Sequence, residues 1–376
     1  MKLSDKRKMA AWVAAAGVIT ACLATGCAQN EDGGGSNSTA KTTESTKPKL
    51  SGAINGGGAS SQSAAQEAWR AGFQSEQPDV TVNYDPIGSG SGREQFAAGG
   101  FNFVGTDAPF SADEIKAGLK ACADGSDIVE VPVYISPIVV AFNLEGIDAL
   151  NLAPKTIADI FNGKIAKWND PAIVADNPEA KLPDVAITPV HRSDKSGTTG
   201  NFTEYLAAAS GGAWGHEAGE EWPAQTGEGA EKTQGVVEAV KGAVGAVGYV
   251  DAGQATGLGW AAIKVGSEWV KASAEGAAKA VTESKLEEGR AAGDVVYELN
   301  RTTDAAGAYP LMQVSYLVAC EKYQDADTGA VVAAYFRYVT SEAGQQASAQ
   351  NAGSAPVTGE AELSAKVSAA VDRIAS

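Results

Sequence analysis

Four times in this chain an apolar segment breaks off at a short loop of small residues, and each time a helical period follows. The loops are residues 56–63, 88–93, 105–109 and 191–199. Strand, loop and helix repeated in that order predict α/β layers with largely parallel sheets. In open sheets of this kind a ligand sits beyond the carboxyl ends of the strands, where these loops fall.

The fourth loop is the most informative. It reads His191-Arg-Ser-Asp-Lys-Ser-Gly-Thr-Thr199, after an apolar strand at 185–190 and before a helix at 200–209. A helix start offers unpaired N–H groups and a partial positive charge, so it attracts anions. Ser196, Gly197, Thr198 and Thr199 add hydroxyl donors and room for close backbone approach. Arg192 adds a fork of donors shaped for a tetrahedral oxyanion. Asp194 would repel an anion unless its task is to orient Arg192. The same residues also fit a capped helix with Asp194 or Ser196 as N-cap and a solvated Arg192, so the loop alone does not choose.

Charge and composition narrow the choice. The 376 residues suffice for two ordinary cores, and Lys+Arg 29 against Asp+Glu 46 gives −17. That balance argues against nucleic acid or anionic lipid as a main partner. An anion site here has to work through local dipoles and hydrogen bonds. With two histidines, His191 and His216, a histidine-rich metal centre is not expected. No Gly-x-x-x-x-Gly-Lys-Ser/Thr run occurs, and Gly88-Ser-Gly-Ser-Gly92 lacks the spacing and acidic partner of a dinucleotide fingerprint.

Residues 1–26 read as a bacterial lipoprotein signal peptide. Lys2, Lys6, Arg7 and Lys8 precede an apolar stretch at 9–23 that is short for a membrane span, and Ala24-Thr25-Gly26 lead to Cys27. Cys27 is the expected lipidation site, although Cys22 fits the same pattern with a shorter apolar stretch. A plain secretory signal or an uncleaved anchor is the alternative. Residues 27–49 read as a flexible tether. In an oxidising compartment Cys122 and Cys320 could pair, or they could be two separate buried thiols.

Further strands are expected at 80–84, 101–104, 128–133, 138–142, 244–250 and 311–319, with a hairpin across 260–271. Helices are expected at 154–161, 171–175, 233–241, 274–285, 328–340, 341–350 and 360–374, and Ser111 with Glu114 forms a capping box.

Six runs occur in this order: Gly56-Gly-Gly-Ala-Ser60-Ser61, Ile87-Gly-Ser-Gly90, Gly105-Thr-Asp-Ala-Pro109, Gly163-Lys-Ile-Ala-Lys-Trp168-Asn-Asp-Pro-Ala-Ile173, the loop at 191–199, and Gly245-Ala-Val-Gly-Tyr-Val250. Together they make residues 50–376 resemble the phosphate-binding lipoproteins that feed ABC transporters for inorganic phosphate, the PstS family. The resemblance implies an α/β, two-domain periplasmic-binding-protein fold, with discontinuous domains joined by a two-segment hinge and the ligand in the cleft. Domain one would span 50–133 and 310–376, and domain two 134–309, with crossings near 132–135 and 309–312.

The resemblance also implies roles. Ser60 matches the hydroxyl donor of the first loop, Ser61 the amide after it, and Ser89 the serine of the second loop. Asp107 matches the aspartate that accepts a hydrogen bond from protonated phosphate. Arg192 matches the anion-pairing arginine, Asp194 the carboxylate that holds it, and Ser196, Gly197 and Thr198 the donors at the helix start. The family often has Thr-Phe or Ser-Thr and a nearby proline where this chain has Ser60-Ser61-Gln62-Ser63. On their own, Asp107 and the first-loop serines could also be ordinary caps.

The implied function is that of an extracytoplasmic, lipid-anchored, monomeric protein on the outer face of the cell membrane. It would capture inorganic phosphate and deliver it to an ABC permease, with no catalytic residues, metal or cofactor. The alternatives are another tetrahedral oxyanion, sulfate or molybdate, a surface lipoprotein keeping the pocket as a relic, or a phosphatase. The last needs a nucleophile with a base, or a two-metal cluster, and neither is evident.

Overall fold

The computed structural model describes residues 50–357 and 361–374. The expected signal peptide, the expected lipidation site Cys27 and the expected tether lie outside the described residues. The first half of the chain runs β1 (Gly52–Gly58), α1 (Ser63–Glu76), β2 (Val80–Asp85), α2 (Ser89–Ala97), β3 (Phe103–Thr106), α3 (Ala112–Lys116), β4 (Ile128–Phe142), β5 (Ala149–Leu152), α4 (Pro154–Phe161) and α5 (Pro171–Asp176). Next come β6 (Thr188–Arg192), α6 (Gly197–Ala209), β7 (Glu228–Ala230), α7 (Lys232–Gly242), β8 (Ala246–Asp251), β9 (Gly259–Val265), β10 (Glu268–Val270) and α8 (Ala274–Thr282). The chain ends with β11 (Lys285–Leu286), β12 (Tyr297–Glu298), β13 (Met312–Cys320), α9 (Ala326–Val339), α10 (Glu342–Ala352) and α11 (Ala361–Val371). Among the described residues no helix is long and apolar enough to cross a membrane.

One curled sheet carries the molecule, in the order β2-β1-β3-β13-β4-β8-β6-β7, with β9 also beside β4. Its two wings are parallel: β1 with β2 and β3, and β6 with β7 and β8. Its centre is not. β13 runs antiparallel to both β3 and β4, and β4 antiparallel to β8. The expectation of largely parallel sheets therefore holds for the wings and for the β5–β9 pair, and not for the centre. The centre is made by a strand that returns from the far end of the chain, and nothing requires such a strand to run with its neighbours.

The two expected strands at 128–133 and 138–142 are one, β4, buried along all of its 15 residues. Pro137 does not break it. The last β13 partner is Met312, opposite Pro137, and the first β8 partner is Asp251, opposite Ile138. The missing proline N–H falls where one partner strand hands over to the other, the place a strand tolerates it. On either side of that point β4 feeds different cores. Val129, Val131 and Val133 pack with Trp69, Phe103 and Phe336. Ile138, Val140 and Phe142 pack with Phe161, Trp168 and Phe202, while Val139 and Ala141 meet α7 through Val236 and Val240. Trp168 is core packing: its ring tilts on Phe142, and its indole N–H donates to the Gly245 carbonyl at 2.9 Å. Ala277, Val281 and Ala308 share the first core, so the span 134–309 contains residues of both.

Ser111 caps α3 with Glu114 in a reciprocal capping box. Just beyond, Cys122 is disulfide-bonded to Cys320 at the end of β13, with Cα atoms 5.3 Å apart. The bridge packs among Phe96, Val104 and Phe110. It closes a loop of sequence separation 198, which restricts the unfolded chain strongly. Replacing both cysteines by alanine is expected to lower unfolding free energy by about 2–5 kcal/mol, read as a lower urea midpoint. An unchanged midpoint would mean that the bridge adds nothing to stability.

Candidate anion site

The carboxyl ends of the two parallel wings face each other, and four helix starts gather between them. β1 ends at Gly58 and leads through one turn of 3-10 helix, Ser60–Gln62, into α1. β2 leads to Gly88 and α2, β6 to Ser196 and α6, and β7 to α7. β3 ends at Thr106 and delivers Asp107 directly. The starts touch. The Gly90 N–H donates to the Lys195 carbonyl at 3.3 Å, and Gln254 Nε2 donates to the carbonyls of Ser60 and Ser61 at 2.9 Å. Gly88 has φ +96, and a Cβ there would lie 2.7 Å from Asp194 Oδ2, so this turn requires glycine. Gly197 is needed for closeness alone: a Cβ would lie 2.7 Å from Ser89 Oγ and 2.8 Å from Asp107 Cβ.

Asp107 is 3% exposed and is surrounded by donors. Ser61 Oγ donates to Oδ1 at 2.8 Å and Oδ2 at 2.6 Å, Thr198 Oγ1 donates to Oδ2 at 3.2 Å, and Ser315 Oγ donates to Oδ1. The Asp107 N–H donates to Ser89 Oγ at 3.1 Å. Burial raises the carboxyl above its ordinary value, against the pull of Ser315, Ser61, Thr198 and the Arg192 charge.

Arg192 is held from behind. Its Nε donates to Asp194 Oδ1 at 2.7 Å and its Nη2 to Asp194 Oδ2, the bidentate fork that fixes a guanidinium in plane. Nη1 has no hydrogen-bond partner among the described residues, although the side chain is 2% exposed. The Arg192 N–H donates to the Tyr249 hydroxyl at 3.1 Å, and that ring stacks on Phe202 at 4.2 Å, which ties the loop to the core. Asp194 also accepts from the Lys232 N–H at 2.9 Å. Lys232, with φ 63, is the one non-glycine residue at positive φ among the described residues, a strain of about 1 kcal/mol. Burial pushes the Asp194 carboxyl up, but Arg192 and the Lys232 amide outweigh it and hold it below the ordinary value.

Ser196 caps α6, its Oγ accepting from the Thr199 N–H at 3.3 Å, which leaves the amides of Gly197 and Thr198 as free helix-start donors. Ser60 Oγ is 3.0 Å from Thr233 Oγ1 and accepts from the Thr233 N–H at 3.1 Å. The nine residues singled out in the sequence for anion binding thus lie in one cluster, buried apart from the half-buried Asp194. Sequence reasoning missed four more. Ser315 and Gln313 are polar at period two in an otherwise apolar strand, a readable signal. Thr233 repeats the hydroxyl-at-helix-start pattern. The fourth, Arg93, grips Glu220, donates to Glu114 at 3.0 Å and closes the cluster from the side; its long-range partner leaves no mark in the sequence. Among the described residues no group of His, Cys, Asp and Glu could hold a metal ion.

Asp194→Ala would leave Arg192 buried without its counter-charge, and is expected to cost about 3 kcal/mol at pH 7. Because the folded carboxyl lies below its unfolded value of 3.8, its contribution is full above that pH and is lost as pH falls through the folded value. Urea midpoints should therefore differ widely at pH 7 and converge only once pH drops below 3.8. A constant gap would assign the loss to packing.

Comparison with known proteins puts this geometry in context. A family model for the PBP superfamily domain matches residues 37–343. The phosphate-binding protein PstS 3 of Mycobacterium tuberculosis is 36% identical over 329 residues, 85% of this chain and 85% of the relative. The phosphate-binding protein PstS of Xylella fastidiosa is 32% identical over 344 residues, 88% of this chain and 90% of the relative. Among solved structures, a high affinity periplasmic phosphate-binding protein, PfluDING, bound with phosphate, has TM-score 0.69 at 20% identity, covering 85% of this chain and 93% of that one. The phosphate-binding protein of Stenotrophomonas maltophilia has TM-score 0.64 at 19% identity, covering 85% and 93%. These structural likenesses speak to the fold, the two-domain α/β binding-protein architecture.

Proposed function

The chain belongs to the PstS family of phosphate-binding proteins within the PBP superfamily, and on that premise we propose that it captures inorganic phosphate outside the cytoplasm and passes it to an ABC permease. It binds and hands over; it is not an enzyme. The observation that carries the reading is Asp107, a buried acceptor in a ring of donors. A ring of donors alone would suit any oxyanion. A carboxylate among them suits an anion that still carries a proton, as phosphate does near neutral pH and sulfate does not.

In this reading Arg192 Nη1 pairs with one ligand oxygen, the amides of Ser61, Gly197 and Thr198 and the hydroxyls of Ser60, Ser89 and Ser196 serve the rest, and Asp194 keeps Arg192 in place. A dehydrated phosphate needs nearly every oxygen hydrogen-bonded, because an unpaired buried charge is very costly. The middle of β4 and a returning segment form the two-part hinge between the lobes, with Ala277, Val281 and Ala308 packed on the first lobe's core, and closure buries the ligand. Cys27 carries the lipid that keeps the monomer at the outer face of the membrane, with 27–49 as its tether.

The test is calorimetric titration of the wild type and Asp107→Asn with phosphate and with sulfate at one pH and salt. A site built for a ligand OH rejects the analogue lacking it by about 10⁴ or more. Asp107→Asn supplies an N–H and should narrow that ratio at least ten-fold, mainly by admitting sulfate. A mutant that rejects sulfate as strongly as the wild type would reduce Asp107 to a turn cap. A wild type that prefers sulfate would replace phosphate as the ligand.

Metabolic labelling with a fatty acid should mark the wild type and not Cys27→Ala. Loss of label in Cys22→Ala alone would move the anchor to Cys22.

A further inference from the structure

Behind Asp107 a single file of buried side chains leads away from the site. The Tyr335 hydroxyl donates to Gln66 Oε1 at 2.8 Å, and Gln66 Nε2 donates to Gln62 Oε1 at 2.9 Å. Gln62 Nε2 donates to Ser315 Oγ at 2.7 Å, and Ser315 Oγ donates to Asp107 Oδ1. Tyr335, Gln62 and Ser315 are wholly buried, and Gln66 is 1% exposed. The file has a fixed direction. Gln62 Nε2 also donates to the Tyr316 carbonyl at 3.0 Å, and a backbone carbonyl only accepts. The Gln62 amide is therefore anchored with its nitrogen toward Ser315. Ser315 Oγ must accept from it, so the one serine hydrogen is left for another acceptor. The Asp107 carboxylate is the charged choice; the Thr106 carbonyl lies at 3.3 Å.

We propose that Ser315 and Gln62 are positioning residues that hold Asp107 as an ionised hydrogen-bond acceptor, and so set the choice of protonated over unprotonated oxyanion. The inference rests on the phosphate reading of the site given above. Ser61 has one hydrogen and lies nearer Oδ2, at 2.6 Å, so Ser315 is the donor that serves Oδ1, while Ser61 and Thr198 serve Oδ2. Each of these groups donates to the carboxylate, which favours its charged form, and the charged form can only accept a ligand proton. If the file is cut, Asp107 loses a donor to its charged form, protonates at higher pH, and in that state donates to an oxyanion that has no proton. Burial already presses Asp107 in this direction, and the file opposes it.

Other groups act on Asp107 as well. Thr198 faces it from α6 and Ser89 from α2, and Arg192, Tyr84, Tyr134 and Asp251 interact with it through charge. Burial pushes the Asp251 carboxyl up to about 7, so it will add its own inflection to any pH profile. The Asp107 charge is among the causes of that rise, so this inflection moves down if Asp107 protonates.

The experiment is calorimetric titration of the full chain with phosphate and with sulfate from pH 5 to pH 9, for wild type, Ser315→Ala, Ser315→Thr, Gln62→Met and Arg192→Ala. Ser315→Ala should weaken phosphate binding roughly ten-fold, the scale of one hydrogen bond to a charged group. It should also admit sulfate at a higher pH than the wild type does. Ser315→Thr keeps the hydroxyl and should restore the wild-type profile. Gln62→Met cuts the file one step back and should shift the profile the same way by less, which serves also if Ser315→Ala does not fold. A merely structural Ser315 would lower thermal stability and leave the pH at which sulfate enters unmoved; that result overturns the proposal. Arg192→Ala separates the two levels. If it binds phosphate like the wild type, the site reading itself fails; if it binds weakly while the Ser315→Ala and Gln62→Met profiles stay put, only the relay fails.

Discussion

A carboxylate taken out of water has to be met by hydrogen bonds on every side, and Asp107 is met from four separate parts of the chain. Ser61 comes from the first helix start, Thr198 from α6, Ser315 from β13, and Ser89 receives its amide from α2. None of these is near Asp107 in sequence. The two wings must face each other, and β13 must lie between β3 and β4, before that one side chain is satisfied. The same closure brings Thr233 to Ser60 and Glu220 to Arg93. The polar centre is thus a consequence of the whole topology, and a ring of hydrogen-bond donors is what a mixed sheet with converging helix starts provides.

The net charge of −17 makes this arrangement more telling. The long-range field of the molecule is unfavourable to an anion and is screened beyond roughly 8 Å at physiological salt. Attraction has to be local. Helix starts act within about one turn, and Arg192 is kept from collapsing onto solvent by the bidentate grip of Asp194. Because Asp194 spends the acceptor strength of both its oxygens on Arg192 and the Lys232 amide, it presents little free charge to a ligand. That resolves the puzzle of an aspartate inside an anion loop.

Much of this was legible in the chain because local rules and global structure agree. The loops at 56–63, 88–93 and 191–199 announce themselves through small residues between an apolar run and a helical period, and α4 starts and stops where its proline and apolar spacing say. What stayed hidden depends on partners far away in sequence. Ser136-Pro137 reads as a break, yet β4 runs through it, because two different strands take over on either side. Gln62 reads as a replacement in a familiar loop, and its meaning appears only when β13 brings Ser315 and the Tyr316 carbonyl beside it. The antiparallel centre of the sheet could not be read at all from a pattern of strand, loop and helix.

The position of β13 also has a consequence for how the protein is made. β3 is complete by Thr106 and β4 by Phe142, but the strand that joins them begins at Met312. During synthesis the chain therefore carries two bare edges for some 170 residues, until the missing strand arrives; such edges template wrong pairings. Contacts of this sequence separation also place the molecule among slow folders. A polypeptide that cannot complete its central sheet until nearly all of it exists stays extended and threadable for most of its synthesis, so the last fifth of the chain governs when the rest becomes a solid.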